Sequence, residues 1–244
     1  MIVRTLLAAL VAGLIAGVFM TAAQQYRVVP LILHAEQFEG GHEEGPIRHP
    51  EVGEAAPALQ QMTQLLSPVT PAMAHDGSPH FIVDRFSGTL MANLVTGAGF
   101  ALLLAAVSIF TGVAVTVSNA VLWGMAGWMA IQLLPAIGLP PELPGMPAGD
   151  LGARQVWWVG ACVLSAAGIY LLALRHEVWA KLGGLVLIAV PHAVGAPQPS
   201  DLASAVPAGL AAEYVVAALA TTLAFWIVLA FALGYFSERF GRAQ

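Results

Sequence analysis

Apolar residues run continuously along this chain instead of alternating, and polar residues break the runs at intervals close to one bilayer crossing. A first run covers about residues 5–23 after Arg4, with Gly13 and Gly17 as a small-xxx-small pair. Apolar residues continue through Val28 to Leu33, which predicts a helix that leaves the bilayer, reaches Phe38 and stops at Gly40-Gly41. Residues 88–138 are nearly free of charge and long enough for two crossings, with the turn expected between Thr111 and Ser118. The prolines from Pro135 to Pro147 remove donors and clash with preceding carbonyls, so regular helix is not expected there. Further spans are predicted over about residues 156–174, 182–196, which is short, and 211–236. In hydrocarbon only a helix or a closed barrel satisfies every backbone polar group, and runs that do not alternate select the helix. The expected fold is therefore all-α: a polytopic membrane helix bundle of about six transmembrane helices, with residues 1–244 forming a single integral membrane domain.

Residues 24–85 are the one long polar stretch, and they hold five of the seven histidines. Eight acidic residues face three arginines there, while the rest of the chain is balanced. Within the stretch, Leu59, Met62 and Leu66 recur about one turn apart after Pro57, which predicts a short surface helix over residues 54–66. Pro68, Pro71, Gly77 and Pro79 are expected to keep the chain irregular up to Asp84-Arg85.

Six spans place both termini on one side. Arg4, Arg175, Lys181, Arg239 and Arg242 then share that side, which the positive-inside rule makes cytoplasmic, so segment 24–85 is expected to be an extracytoplasmic loop. Arg4, a short apolar stretch and Thr21-Ala22-Ala23 also fit a cleavable signal peptide, whose loss would remove the first span. The length of the run and its continuation into Val28–Leu33 favour retention. No internal repeat stands out.

Composition agrees with the pattern. With 58% hydrophobic and 9% charged residues and a mean hydropathy of +0.78, the chain has too little polar surface to cover a soluble globule. An acidic pI of about 5.7 without basic patches argues against a nucleic-acid partner. The expected surroundings are a lipid bilayer.

Cys162 is the only cysteine, so thiolate clusters and intrachain disulfides are excluded. Metal chemistry would have to use imidazole and carboxylate, which suit borderline divalent ions such as cobalt, nickel or zinc. His34, Glu36, Glu39, His42, Glu43 and Glu44 offer two imidazoles and four carboxylates within eleven residues, and His49, Glu51, His75, Asp76 and His80 extend the supply. Their spacing matches no fixed metal motif, and a solvated acidic loop with incidental histidines fits equally well. His192 follows Pro191 at the outer end of the short span; the proline frees backbone carbonyls, so His192 is expected at an irregular, water-reachable mouth or as an interfacial anchor. Asn93, Asn119, Gln132 and Gln24-Gln25 are expected to bridge helices more than to line a path. The six tryptophans read as interfacial anchors or packing residues. There is no nucleotide-binding glycine pattern and no nucleophile with a base, so an enzyme is not expected.

Several segments together carry a family resemblance: LLAALVAGLIAGV at 6–18, VVPLILHAEQFE at 28–39, His49-Pro50-Glu51, FALLLAA at 100–106, GLPPELPG at 138–145, Arg154-Gln155 with Trp157-Trp158, and PHAVGAP at 191–197. With them the chain resembles the CbtA family of probable cobalt transporter subunits over almost its whole length. The resemblance implies a multi-span subunit for cobalt uptake in the bacterial cytoplasmic (inner) membrane, linked to cobalamin supply. It further implies a small single-span partner, CbtB-like, with histidines of its own. Cobalt(II) or another divalent cation is then the expected cargo, with no permanently bound cofactor. The resemblance brings no ligand set. The candidate metal ligands His34, Glu36, Glu39, His42, His49, Glu51 and His192 rest on residue chemistry alone. The expected function is metal gathering by the His/Glu segment and passage between helices; the alternative is a membrane scaffold or metal sensor that moves no ion.

Overall fold

The computed structural model describes residues 2–39 and 79–241. Every described element is helical: α1 Ile2–Arg27, α2 Val29–Glu39, α3 Pro79–Thr111, α4 Ala120–Trp128, α5 Leu134–Gly138, α6 Leu151–Leu174, α7 Val178–Val194 and α8 Ala208–Gly241. Five stretches are long and apolar enough to cross a membrane, namely Val3–Arg27, Arg85–Thr111, Val117–Gly138, Leu151–Leu174 and Ala208–Gly241, and Val178–Val194 is a shorter apolar helix. The chain is a polytopic helical membrane protein. It divides into two compact units, Met1–Gly41 with Thr89–Gln244, and His42–Gly88. Of the second unit only the first turns of α3 are described, and the bundle below belongs to the first. The predicted helix over 54–66 lies outside the described residues.

The first two helices follow the predicted course with one break. Pro30 has no N–H to give the carbonyl four residues back, so α1 ends at Arg27 and α2 restarts with Pro30 in its first turn. Leu31 and Ile32 donate instead to the Val28 carbonyl, at 3.1 and 3.2 Å.

Two prolines stand where helix is not expected, and a third lies inside a predicted span. α3 begins at Pro79, earlier than the Asp84-Arg85 boundary, because proline is tolerated where the first-turn N–H has no partner anyway. Pro135 does not end its helix either. A π-helical turn, Met129–Leu133, precedes it, with the Leu134 N–H donating to the Met129 carbonyl, and helix continues to Gly138. The wider turn absorbs the missing donor, and the Ile131 carbonyl that Pro135 cannot serve receives the Cys162 thiol at 3.9 Å. Pro191 lies inside the last turn of α7, which continues to Val194 and closes at Gly195, whose φ is +86° and whose N–H donates to the Pro191 carbonyl at 3.1 Å.

Small residues set the closest helix crossing. A Cβ on Gly13 would lie 2.5 Å from Ala98 Cα, and one on Gly17 2.5 Å from the Asn93 carbonyl, so α1 and α3 touch backbone to backbone. Ala8, Ala9, Ala12 and Ala16 of α1 are fully buried with Leu104 of α3 and Leu229, Ala230 and Leu233 of α8. Trp226, 1% exposed, fills the space that Gly124 and Gly127 leave on α4. On the other flank α6 and α7 form a hairpin joined at Gly168 and Gly184, where a Cβ on Gly168 would meet the Gly184 carbonyl at 2.6 Å. The outward faces remain apolar, as at Val156 (75% exposed) and Trp179 (83%), which suits a lipid boundary.

The start of α1 and the end of α8 lie together, with Arg4 Nη1 donating to the Phe240 carbonyl at 3.2 Å. The α3–α4 linker joins them there, its Val117 N–H donating to Glu238 at 2.9 Å. The opposite end carries α2, residues 139–150, the start of α6, the end of α7 and the start of α8, tied by the contacts described next.

Candidate functional site

α2 brings the first candidates to that opposite end. Its Ala35 is fully buried in a small core with Leu143, Val206 and Leu210, which turns the neighbouring positions outward. His34 is exposed, its ring 5.7 Å from that of Phe38. Glu36 is half-buried and Glu39 is the final residue of α2. Two residues apart on a helix, His34 and Glu36 do not face each other, so they cannot grip one ion without ligands from elsewhere. His42, His49 and Glu51 lie outside the described residues. Among the described residues no group of three or more His, Cys, Asp or Glu is arranged to hold a metal.

His192 departs from one of its two expected placements, the irregular mouth. It belongs to the last helical turn of α7, not to an irregular mouth, because the Trp157 indole N–H donates to the Pro191 carbonyl at 3.1 Å and ties this turn to α6. Its ring packs edge-on to Trp157, centroids 5.9 Å apart at 66°. Both ring nitrogens are buried and neither has a hydrogen-bond partner. A buried polar group left in this state costs about 1–3 kcal/mol, so a polar partner for either nitrogen would be stabilising. An imidazole nitrogen that carries no proton can offer its lone pair to a borderline divalent ion.

The surroundings of Trp157 explain its position. Gly138 is the residue its ring rests on, and any Cβ there would collide with the indole. One turn earlier on α6, Arg154 Nη2 meets Glu142 Oε2 at 2.6 Å, with both side chains 23% exposed. Asp150 caps α6 by accepting from the Ala153 N–H at 2.8 Å. Leu143, beside Glu142, enters the core that holds Ala35. The four segments 28–39, 138–145, 154–158 and 191–197 therefore converge on one end of the bundle, although long stretches of sequence separate them.

Glu142 and Arg154 did not stand out as site residues. They are twelve positions apart across a proline-rich stretch, and no periodicity pairs them. The available signal was that each is an isolated charge next to a predicted span end.

Of the amides expected to bridge helices, Asn93 and Gln24 do so. Asn93 Nδ2 donates to Thr21 Oγ1 at 3.0 Å and to Gln24 Oε1 at 2.7 Å, which bridges α3 to α1. Asn119 instead braces its own linker, accepting from the Thr116 N–H at 2.8 Å and donating to the Ala114 carbonyl at 2.9 Å. Gln132 lies within the π-helical turn.

Against known proteins, the model of one family, described as "Probable cobalt transporter subunit (CbtA)", matches residues 2–238. No curated protein and no solved structure matches.

Proposed function

From the premise that this chain belongs to the CbtA family of probable cobalt transporter subunits, we propose that it gathers a divalent cation, cobalt(II) first, outside the membrane and passes it between helices past His192. Segment 24–85, which takes in the end of α1, all of α2 and the start of α3, is the outward segment of a single membrane domain, and both termini are cytoplasmic. His34, Glu36, Glu39, His42, His49 and Glu51 raise the local cation concentration and exchange part of its water shell for nitrogen and oxygen. His192 then receives the ion at the head of the α6–α7 hairpin. The observation that carries this reading is the imidazole of His192, buried with both nitrogens unpartnered at the meeting point of four family segments.

Glu142 and Arg154 complete the entrance. Arg154 stands in for the absent cation and keeps Glu142 neutralised until a divalent ion competes for the carboxylate. The subunit acts beside a small single-span partner in the bacterial cytoplasmic membrane. The test is cobalt uptake by cells that express the chain alone and with that partner. Uptake above the empty-vector level in at least one condition is expected. No gain in either would defeat transport and leave a scaffold or metal sensor that presents the outward segment.

A further inference from the structure

At the end where the termini meet, a cavity of about 290 Å³ opens between α1, α3, α8 and the 112–116 linker. Thr5, Ser108 and Ser237 line it with hydroxyl groups from three different helices, alongside Ala105, Val115 and Leu233. It lies at the far end of the molecule from His192.

The linker forms one wall and is fastened at identifiable points. Gly112 turns it out of α3 with φ at +71°, and Ser108 Oγ donates to the Val113 carbonyl at 2.7 Å. On the α8 side the Thr116–Val117 backbone lies so close to Gly234 that a Cβ there would sit 2.6 Å from it. The Val117 N–H is held by the Glu238 carboxylate at 2.9 Å, and Glu238 directly follows Ser237 in the cavity wall. Glu238 is not one of the lining residues, but its carboxylate fastens the linker just beyond Val115, which does line the cavity.

Resting on the transport reading above, we propose that this cavity is the chamber where the divalent cation regains its water before release, and that Glu238, next in sequence to the lining Ser237, is the latch of the 112–116 wall and the carboxylate that the ion meets on its way out. An ion stripped of water on entry cannot leave until hydration is restored. A divalent ion with six waters fills on the order of 200 Å³, at about 30 Å³ per water, so the chamber can hold it whole. Hydroxyl and carboxylate oxygens bind weakly enough to let such an ion go. When the ion draws Glu238 away from the Val117 N–H, the wall is freed to move.

The test reads cavity access without needing transport. Ser237→Cys is labelled with a membrane-impermeant maleimide in inverted vesicles, and the unmodified chain, whose Cys162 is buried, serves as the blank. Slow labelling is expected, rising about five-fold or more with Glu238→Ala, which removes a charge-assisted hydrogen bond. Glu238→Gln keeps an acceptor for Val117 and should leave that rate unchanged. Cobalt(II) should slow labelling at Ser237→Cys but not at Ser118→Cys, which is exposed outside the cavity, and Glu238→Gln should weaken that protection. Equal labelling in all three backgrounds would overturn the latch. Cobalt protection that is absent, or equal at both cysteines, would overturn the chamber. Loss of the transport reading would instead show as no uptake, with these labelling rates unaffected.

Discussion

His192 and the Glu142–Arg154 pair put opposite demands on stability, and each demand can be measured. The imidazole nitrogens are buried without partners, so replacing them with carbon removes a cost. His192→Phe keeps a ring against Trp157 and is expected to leave the thermal midpoint in detergent unchanged or raised, while cobalt uptake falls by about ten-fold or more. A drop in the midpoint with uptake preserved would make His192 a packing residue. The pair at 2.6 Å behaves in the other sense. Glu142→Gln leaves the Arg154 guanidinium half-buried without its counter-charge, and thermal unfolding should show a loss of about 1–3 kcal/mol. The double exchange Glu142→Arg with Arg154→Glu should recover part of it.

At the scale of elements, contact between α1 and α3 depends on the absence of side chains. Gly17→Leu would drive carbon atoms into the Asn93 carbonyl and separate Asn93 from Thr21 and Gln24. The expected result is a misassembled bundle, visible as lost monodispersity in detergent, whereas Gly99→Ala, with open space around it, should behave as the parent. The α6–α7 turn has a pH signature. The Glu177 carboxyl is held below its ordinary value of 4.5, first by its own backbone N–H and then by the charge of Arg175, which it meets at 3.0 Å. A depressed carboxyl contributes stability above its unfolded pKa and loses it as pH falls through the folded value. The protection factors of the Val178–Lys181 amides, which divide out the intrinsic pH dependence of exchange, should therefore hold at neutral pH and fall as pH drops through the lowered carboxyl value. Glu177→Gln should remove that dependence. The group is fully exposed, so the effect belongs to the turn and not to the bundle.

For the whole molecule, the described chain begins and ends on the same side, where Arg4, Arg175, Lys181 and Arg239 also gather. The positive-inside rule then favours the cytoplasmic placing of that side, on which the proposed direction of uptake rests. Reporter fusions at either terminus should be active only with a cytoplasmic reporter, and a periplasmic reporter active at Gln244 would reverse the proposed direction of uptake. The 17 residues of α7 reach about 25 Å at 1.5 Å per residue, short of a hydrocarbon core of about 30 Å. His192, on its last turn, thus lies deeper than a full-length span would place it.

The membrane class, the spans, the turn after Thr111 and the helix-bridging role of Asn93 were all legible along the chain, because each follows from local hydropathy or from one polar group in an apolar run. Helix at Pro79 and Pro135 was not legible, because the helix-breaking effect of proline depends on whether its missing donor matters at that position. It does not matter in a first turn, beside a π-helical turn that another helix serves, or in a last turn braced by Trp157. The pairing of Glu142 with Arg154, the burial of the His192 nitrogens and the gathering of four distant segments at one end were decided only by tertiary packing. They depend on which helix faces lie together, and a one-dimensional pattern of apolar runs, similar on every side of a helix in lipid, carries almost no information about that.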